Sequence, residues 1–411
     1  MDEDDARRAP ISGEVGLRAA IGGLPFVDQH CHSLSRGWRT AGGPVPGWRR
    51  CFSEATRPRS IAQDVPAMRG YRELLRALER ELRLGPGSDD HDADAPGADD
   101  PSAGEVAIVR DRDARAAGPR YAADLLDDAG VTMLLVDTGY GGTDALDPST
   151  LEQTLGRPVR TVLRVETLAE GVLAGARGAI SPAAFEAAVE AAILTGLDAG
   201  AVGLKTIAAY RAGLDLTAPT AGRVRRGLAD HDGQASRLDD PALVSLVVRT
   251  AARIGRERRV PLQVHVGFGD EDLSLPAADP SLLRPLLRDP RVDGCPIVLL
   301  HGHPFVAQAA YLASVHPDVN LDLSLTIPLL GFVGARTAIS EALTLCPTTK
   351  LLAGTDGHSY PEMHWRGARL WREALAAVLA PEVTAERMTR HEALSVARSI
   401  LGGNAQRLYR L

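Results

Sequence analysis

Eight short apolar runs recur along the chain, and helical patterns separate most of them. They are LPFVDQHCH from Leu24, VTMLLVDTG from Val131, RTVLRVET from Arg160, AVGLKTIA from Ala201, PLQVHVGFG from Pro261, PIVLLHGHP from Pro296, VNLDLS from Val319 and KLLAGTDGH from Lys350. Near-continuous apolar runs of this length suit parallel strands buried on both faces. Between them lie amphipathic stretches such as SPAAFEAAVEAAILTGLDAG, which opens on Ser181-Pro182 and closes on Gly200. A Ser cap, a first-turn Pro and a terminal Gly are helix punctuation. Strands alternating with helices imply βαβ units, and eight units imply a closed (β/α)8 TIM-type barrel. An open doubly wound sheet is the runner-up, weakened because no Gly-rich nucleotide loop follows the first strand. A length of 411 residues suits one large barrel domain with insertions, or two medium domains. The strand count favours the single barrel, residues 1–411.

One connection is far too long for a βα loop. Residues 33–120, between the first two strands, are expected to form a helical insertion that acts as a lid over the barrel mouth. Leu74, Leu78 and Leu82 mark one face of a helix within it. Residues 85–104, rich in Asp, Pro and Gly, read as a disordered acidic loop. Residues 362–411 read as a C-terminal helical segment. The net charge of −7, without a basic cluster, gives no nucleic-acid footprint. No apolar run approaches the ~20 residues of a membrane helix. The acidic N-terminus is no signal peptide, and four cysteines without CxxC spacing suit a reducing compartment. The expectation is a cytoplasmic homo-oligomer acting on a small molecule, with no nucleic-acid or membrane partner.

Candidate chemistry gathers where the apolar runs end. His30 and His32 alternate, so on a strand both turn to one face with Cα atoms about 6.6 Å apart. Asp28 lies one pleat deeper and reads as an acid on the same face that orients a ligand histidine. Cys31 faces the helix layer and reads as packing. A lone HxH is weak evidence. But His265, His301 and Asp356 end the fifth, sixth and eighth runs, and in a barrel these ends converge. Any one of them alone would be an ordinary buried histidine or a capping acid. Together, imidazoles and a carboxylate suit one or two divalent ions, zinc first and Mn or Fe next, with a position open for water. Lys205 ends the fourth run, where a lysine needs a partner or a modification. Three readings stay open: an ion pair with Glu166 at the end of the third run, a carboxylated lysine bridging two metals, or a cation for a substrate carboxylate. Arg211 is a second cation suited to carboxylate, or a solvated surface residue. His303 repeats the HxH spacing with His301 and is placed in the loop beside the site. His358 either meets substrate or caps the following helix. His91, His231, His316, His364 and His391 read as ordinary.

This set resembles the amidohydrolase superfamily: HxH on the first strand, Lys on the fourth, His on the fifth and sixth, Asp on the eighth. VGLKTIAAYRAGL, PLQVHVGFGD, HPFVAQAAYLASVHPDVNLDLSLTIP and TTKLLAGTDGHS resemble, more narrowly, the amidohydrolase-like half of FluG-type and plant nodulin–glutamine synthetase fusion proteins, as does the closing ILGGNAQRLYRL. The likeness runs from Leu24 to Leu411 without the acidic stretch. The glutamine synthetase half has no counterpart in these residues. The resemblance implies a TIM-type barrel with a divalent metal and hydrolysis of a C–N amide bond in a small carboxylate-bearing substrate, such as a γ-glutamyl amide. In that reading Asp356 is general base and acid, and His301 ligates a second metal or stabilises an oxyanion. Lys205 and Arg211 orient the carboxylate, with Glu166, His303 and His358 beside the substrate. The superfamily also holds decarboxylases and isomerases, which is the alternative reading. A non-catalytic partner of a separate glutamine synthetase-like enzyme is a third, disfavoured by the complete ligand set.

Overall fold

Neighbouring strands pair in parallel and in chain order: β1 (Phe26–Cys31), β2 (Val131–Asp137), β3 (Val159–Arg164), β4 (Gly203–Thr206), β5 (Leu262–Val266), β6 (Ile297–His301), β7 (Val319–Asp322) and β8 (Leu351–Leu352). The structure, a computed structural model, describes residues 15–42, 47–84, 101–176, 180–230 and 237–411. β8 is short, yet the ring closes beyond it. Gln29 N donates to Ala353 O at 3.4 Å, Asp356 N to His30 O at 2.9 Å and His32 N to Gly357 O at 2.7 Å. The result is the expected (β/α)8 barrel. Helix Pro182–Asp198 is capped by Ser181, and helix Pro241–Arg258 by Asp240, whose carboxylate accepts from Ala242 N and Leu243 N.

The barrel interior is layered. Val27, Leu135, Val162, Val298, Leu300 and Leu352 fill its lower part together with Ala405 and Tyr409 from the C-terminal helix Asn404–Tyr409. Above them lies a polar floor. Tyr409 donates its hydroxyl to Gln29 Oε1 at 2.8 Å and accepts from Gln263 Nε2 at 2.8 Å. Gln29 Nε2 donates to Asp322 Oδ2 at 2.7 Å. The histidines sit on this floor.

An irregularity in β1 decides which residues reach the site. Asp28 pairs with Leu134 and Cys31 with Val136, so three steps on β1 match two on β2. The extra residue is a bulge, and it breaks the strand's alternation. Asp28 therefore points outwards, where it accepts from Thr355 N at 2.8 Å and Thr355 Oγ1 at 2.5 Å. The expectation that Asp28 shares the face of His30 and orients a ligand histidine is corrected by this register shift. Gln29 takes the inward place instead.

Between β1 and β2 lie a turn of 3-10 helix (Gly47–Phe52) and helices Pro58–Gln63, Arg69–Leu84 and Pro101–Ala116. Leu74, Leu78 and Leu82 are buried. Buried polar bonds fasten this region. Arg49 pairs with Glu105, and Trp48 Nε1 donates to Tyr71 at 2.7 Å. Arg112 Nε meets Glu362 Oε1 at 2.5 Å, tying the helix Pro101–Ala116 to the helix Pro361–Thr384. Most of the stretch read as a disordered loop, residues 85–100, lies outside the described residues, as do His91 and His231. Among the described residues, no helix is long and apolar enough to cross a membrane.

Candidate metal centre

Hydrogen bonds to the protein fix which nitrogen of His30, His32 and His265 carries its proton. His30 Nδ1 lies 2.9 Å from Gln263 Oε1, an oxygen that can only accept. Nδ1 is therefore the donor, and the Nε2 lone pair points at Asp356 Oδ1, 3.0 Å away. His32 repeats the pattern, with Nδ1 against the Asp137 carbonyl at 3.1 Å and Nε2 3.2 Å from the same Oδ1. Ser324 donates its hydroxyl to Asp322 at 2.5 Å, and His301 Nδ1 lies 3.0 Å from Ser324 Oγ and 3.4 Å from Leu325 N. His265 donates from Nε2 to Phe268 O at 3.1 Å and keeps Nδ1 free. Partners of this kind set tautomer and ring orientation in metal sites.

The rings crowd together. Centroids are 5.2 Å apart for His30 and His32, 5.5 Å for His30 and His301, and 4.5 Å for His265 and His301. Ligand atoms of His30, His301 and Asp356 all lie within 4.8 Å of one another. Burial and the Lys205 cation lower the His30 pKa to about 4, and burial takes His265 to about 3. His301 is also held well below its usual range by burial. These imidazoles are neutral near pH 7, the form that binds metal. The Asp356 carboxyl is nonetheless held well below its usual range, although burial opposes its ionisation. Its Oδ1 is buried and has no hydrogen-bond donor. An orphaned carboxylate oxygen facing imidazole lone pairs is costly unless a cation joins them. The donor set therefore fits a divalent ion.

His301 and Asp356 both adopt left-handed backbone, with φ of 70° and 54°. Such conformations are strained for non-glycine residues and gather at functional sites. Asp356 is held from both sides of the barrel. Its N–H bonds His30 O, while Asp28 grips the neighbouring Thr355 from outside. Thr355 Oγ1 accepts from Gly357 N at 2.9 Å. Gly357 is required here, since a Cβ would stand 2.5 Å from the His364 ring.

Lys205 Nζ lies 3.3 Å from His30 Nε2, and burial lowers its pKa to about 8. Glu166 falls in the first turn of helix Val165–Gly175, two residues past the end of β3. It accepts from Thr206 Oγ1 at 2.5 Å and Ile207 N at 3.1 Å, and forms no ion pair with Lys205. The carboxylate nearest to that role is Asp137, at the end of β2, which attracts Lys205 and pairs with Arg164 at 2.6 Å.

The centre opens into a cavity of about 270 Å³ lined by His32, Lys205, Arg211, His265, His301, Asp356 and His358, and also by Glu54, Tyr140, Arg164 and Tyr210. Arg211 Nη2 pairs with Glu170 at 3.0 Å, while Nε and Nη1 are buried without partners. His358 packs against Tyr140 with centroids 5.1 Å apart. His303 does not line the cavity; it meets Phe268 edge to face, with centroids 5.4 Å apart. Sequence reasoning overlooked Asp137, Arg164, Gln263 and Glu54. The first three had a signal. Asp137 and Arg164 lie at the ends of apolar runs, and Gln263 stands two residues before His265.

Comparison with known proteins agrees with this architecture. A model of the amidohydrolase family matches residues 172–411. Over 242 residues the chain is 36% identical to protein FluG of Emericella nidulans, a match covering 55% of this chain and 27% of that protein. The chain thus spans little more than a quarter of that relative. A structure from Lactobacillus casei ATCC 334, assigned to the metal-dependent hydrolases, superposes with a TM-score of 0.78 at 27% identity, over 96% of this chain and 97% of that one. Uronate isomerase from Thermotoga maritima superposes with a TM-score of 0.65 over 97% of each chain, at 14% identity, a likeness of fold alone.

Proposed function

The chain belongs to the amidohydrolase family, and from that premise we propose that it is a metal-dependent hydrolase of a C–N amide bond in a small carboxylate-bearing substrate, a γ-glutamyl amide being the class of choice. One observation carries the reading. The Nε2 atoms of His30 and His32 converge with the orphaned Oδ1 of Asp356 on the floor of an open cavity. His30, His32, His301 and Asp356 would hold a divalent cation, with His265 and Lys205 beside them. Bound there, the cation supplies a Lewis acid and lowers the pKa of water.

The remaining work falls to the chain's own groups. Asp356 takes a proton from the attacking water and returns it to the leaving nitrogen. Arg211 offers its two unpaired nitrogens to the substrate carboxylate. The Asp137–Arg164 pair keeps the wall beside Lys205 polar and fixed. Supporting the acyl class are the 36% identity to FluG and the motif resemblance to nodulin–glutamine synthetase fusion proteins.

The test is a panel of γ-glutamyl amides offered to zinc- or manganese-loaded protein. Amine release by the wild type, lost in Asp356→Asn, is expected. Release of CO₂, or isomerisation without amine, would replace hydrolysis with the decarboxylase or isomerase reading.

A further inference from the structure

The region between β1 and β2 delivers a carboxylate to the site. Glu54 follows the 3-10 turn Gly47–Phe52 and lines the cavity. Its segment is pinned across the mouth to the loop after β5. Thr56 Oγ1 donates to Glu271 Oε1 at 2.7 Å, and Arg57 Nε to Glu271 Oε2 at 2.8 Å. On the near side, Arg49 is locked to Glu105. Glu54 thus lines the same cavity as Asp270.

The surroundings of Glu54 are unusual for a structural acid. Among the described residues it makes no hydrogen bond or ion pair. Burial raises its pKa to about 7, and the charges acting on it, Asp356 and Asp270, are both anionic. Two tyrosine rings, Tyr140 and Tyr210, line the same cavity. Tyr210 lies against His265 at 4.7 Å and Tyr140 against His32 at 4.7 Å, so both rings wall the metal centre. A partly buried carboxyl, a second acid and two aromatic faces form a receptor for an organic cation. Elsewhere in the same cavity, Arg211 presents two buried nitrogens without partners, a receptor for an anion.

We propose that Glu54 binds an ammonium group of the substrate, so that the cavity selects an amphoteric amide with its carboxylate at Arg211 and its amine at Glu54. The amide part of this statement rests on the hydrolase reading; the charge pattern does not. A simple acyl or dicarboxylic amide lacks the group that Glu54 needs and leaves that carboxyl among anions.

The test compares L-glutamate with glutarate, which differ by the ammonium, binding to metal-loaded protein by calorimetry. The wild type is expected to bind L-glutamate at least about tenfold more tightly, the scale of one charge-assisted hydrogen bond. Glu54→Gln, which keeps the side chain's shape, should remove that preference while leaving glutarate binding in place. Arg211→Met should weaken both ligands. Equal affinities in the wild type, no binding of either ligand, or a Glu54→Gln variant that keeps the preference, would each overturn the proposal. Turnover of γ-L-glutamyl and glutaryl p-nitroanilides is read in parallel. Loss of both reactions with the binding preference intact would reject the hydrolase and keep the amine receptor.

Discussion

Two groups of buried acid and imidazole stand back to back on β1. Inside the barrel are His30, His301 and Asp356; outside are Asp28, Cys31 and His364, and in each group the ligand atoms lie within 4.8 Å of one another. By composition either could hold a metal. Their hydrogen bonds separate them. Both oxygens of Asp28 accept from Thr355, and Cys31 Sγ donates to Leu135 O at 3.5 Å. Burial and the Asp28 charge push the Cys31 thiol far above the range in which it would ionise. His364 Nε2 alone is left over, and none of the three lines the site cavity. In the inner group each imidazole spends one nitrogen on the protein and turns the other to the cavity floor or its neighbours. The lesson is that ligand atoms left without partners where they converge at the edge of a cavity mark a ligand site, and a matching residue list does not.

The sharpest break of this comparison is Asp356→Asn. Turnover should fall by roughly 10²–10⁴-fold, the usual weight of a general base, in steady-state assays at saturating metal. Asp28→Ala tests the outer group as a support. It strands Thr355 N and leaves a buried void, so denaturant unfolding should show a loss of about 3 kcal/mol. Metal affinity should weaken by about 10–100-fold, as when a supporting partner is removed; unchanged affinity would show that the two groups are independent.

A smaller effect concerns Glu54. Its folded pKa of about 7 stands above the usual 4.5. The stability tied to its neutral form is therefore complete below pH 4.5 and is lost as pH rises through 7. Glu54→Gln should match the wild type at pH 4 and exceed it by about 3 kcal/mol at pH 8, in melts at matched metal content. Equal stability across that range would remove the charge conflict assigned to Glu54. Smallest is Cys31→Ala, expected to cost about 1 kcal/mol or less with metal content unchanged.

Much of this was legible in the sequence because barrel strands end where function begins. His30, His32, His265, His301, Lys205 and Asp356 each follow apolar residues, and the barrel carries them to one end of the ring. The bulge in β1 was not legible. A period of two gave Asp28 the inner face, and only the pairing with β2 shows the extra residue. Glu166 was misplaced by two residues, because a strand that runs directly into a helix gives no punctuation between Arg164 and Val165. Glu54 had no local signal at all. It is 22 positions beyond His32, and only the bonds of Thr56 and Arg57 to Glu271 carry it across to the cavity.

Metal content after loading and desalting, measured by elemental analysis, tests the central claim most directly. Three proteins suffice: the wild type, a His30→Ala/His301→Ala variant and a Cys31→Ala/His364→Ala variant, each shown to be folded. The account predicts about one equivalent or more of divalent metal in the wild type and in the outer variant, and none in the inner one. Metal retained by the inner variant and lost from the outer one would contradict it.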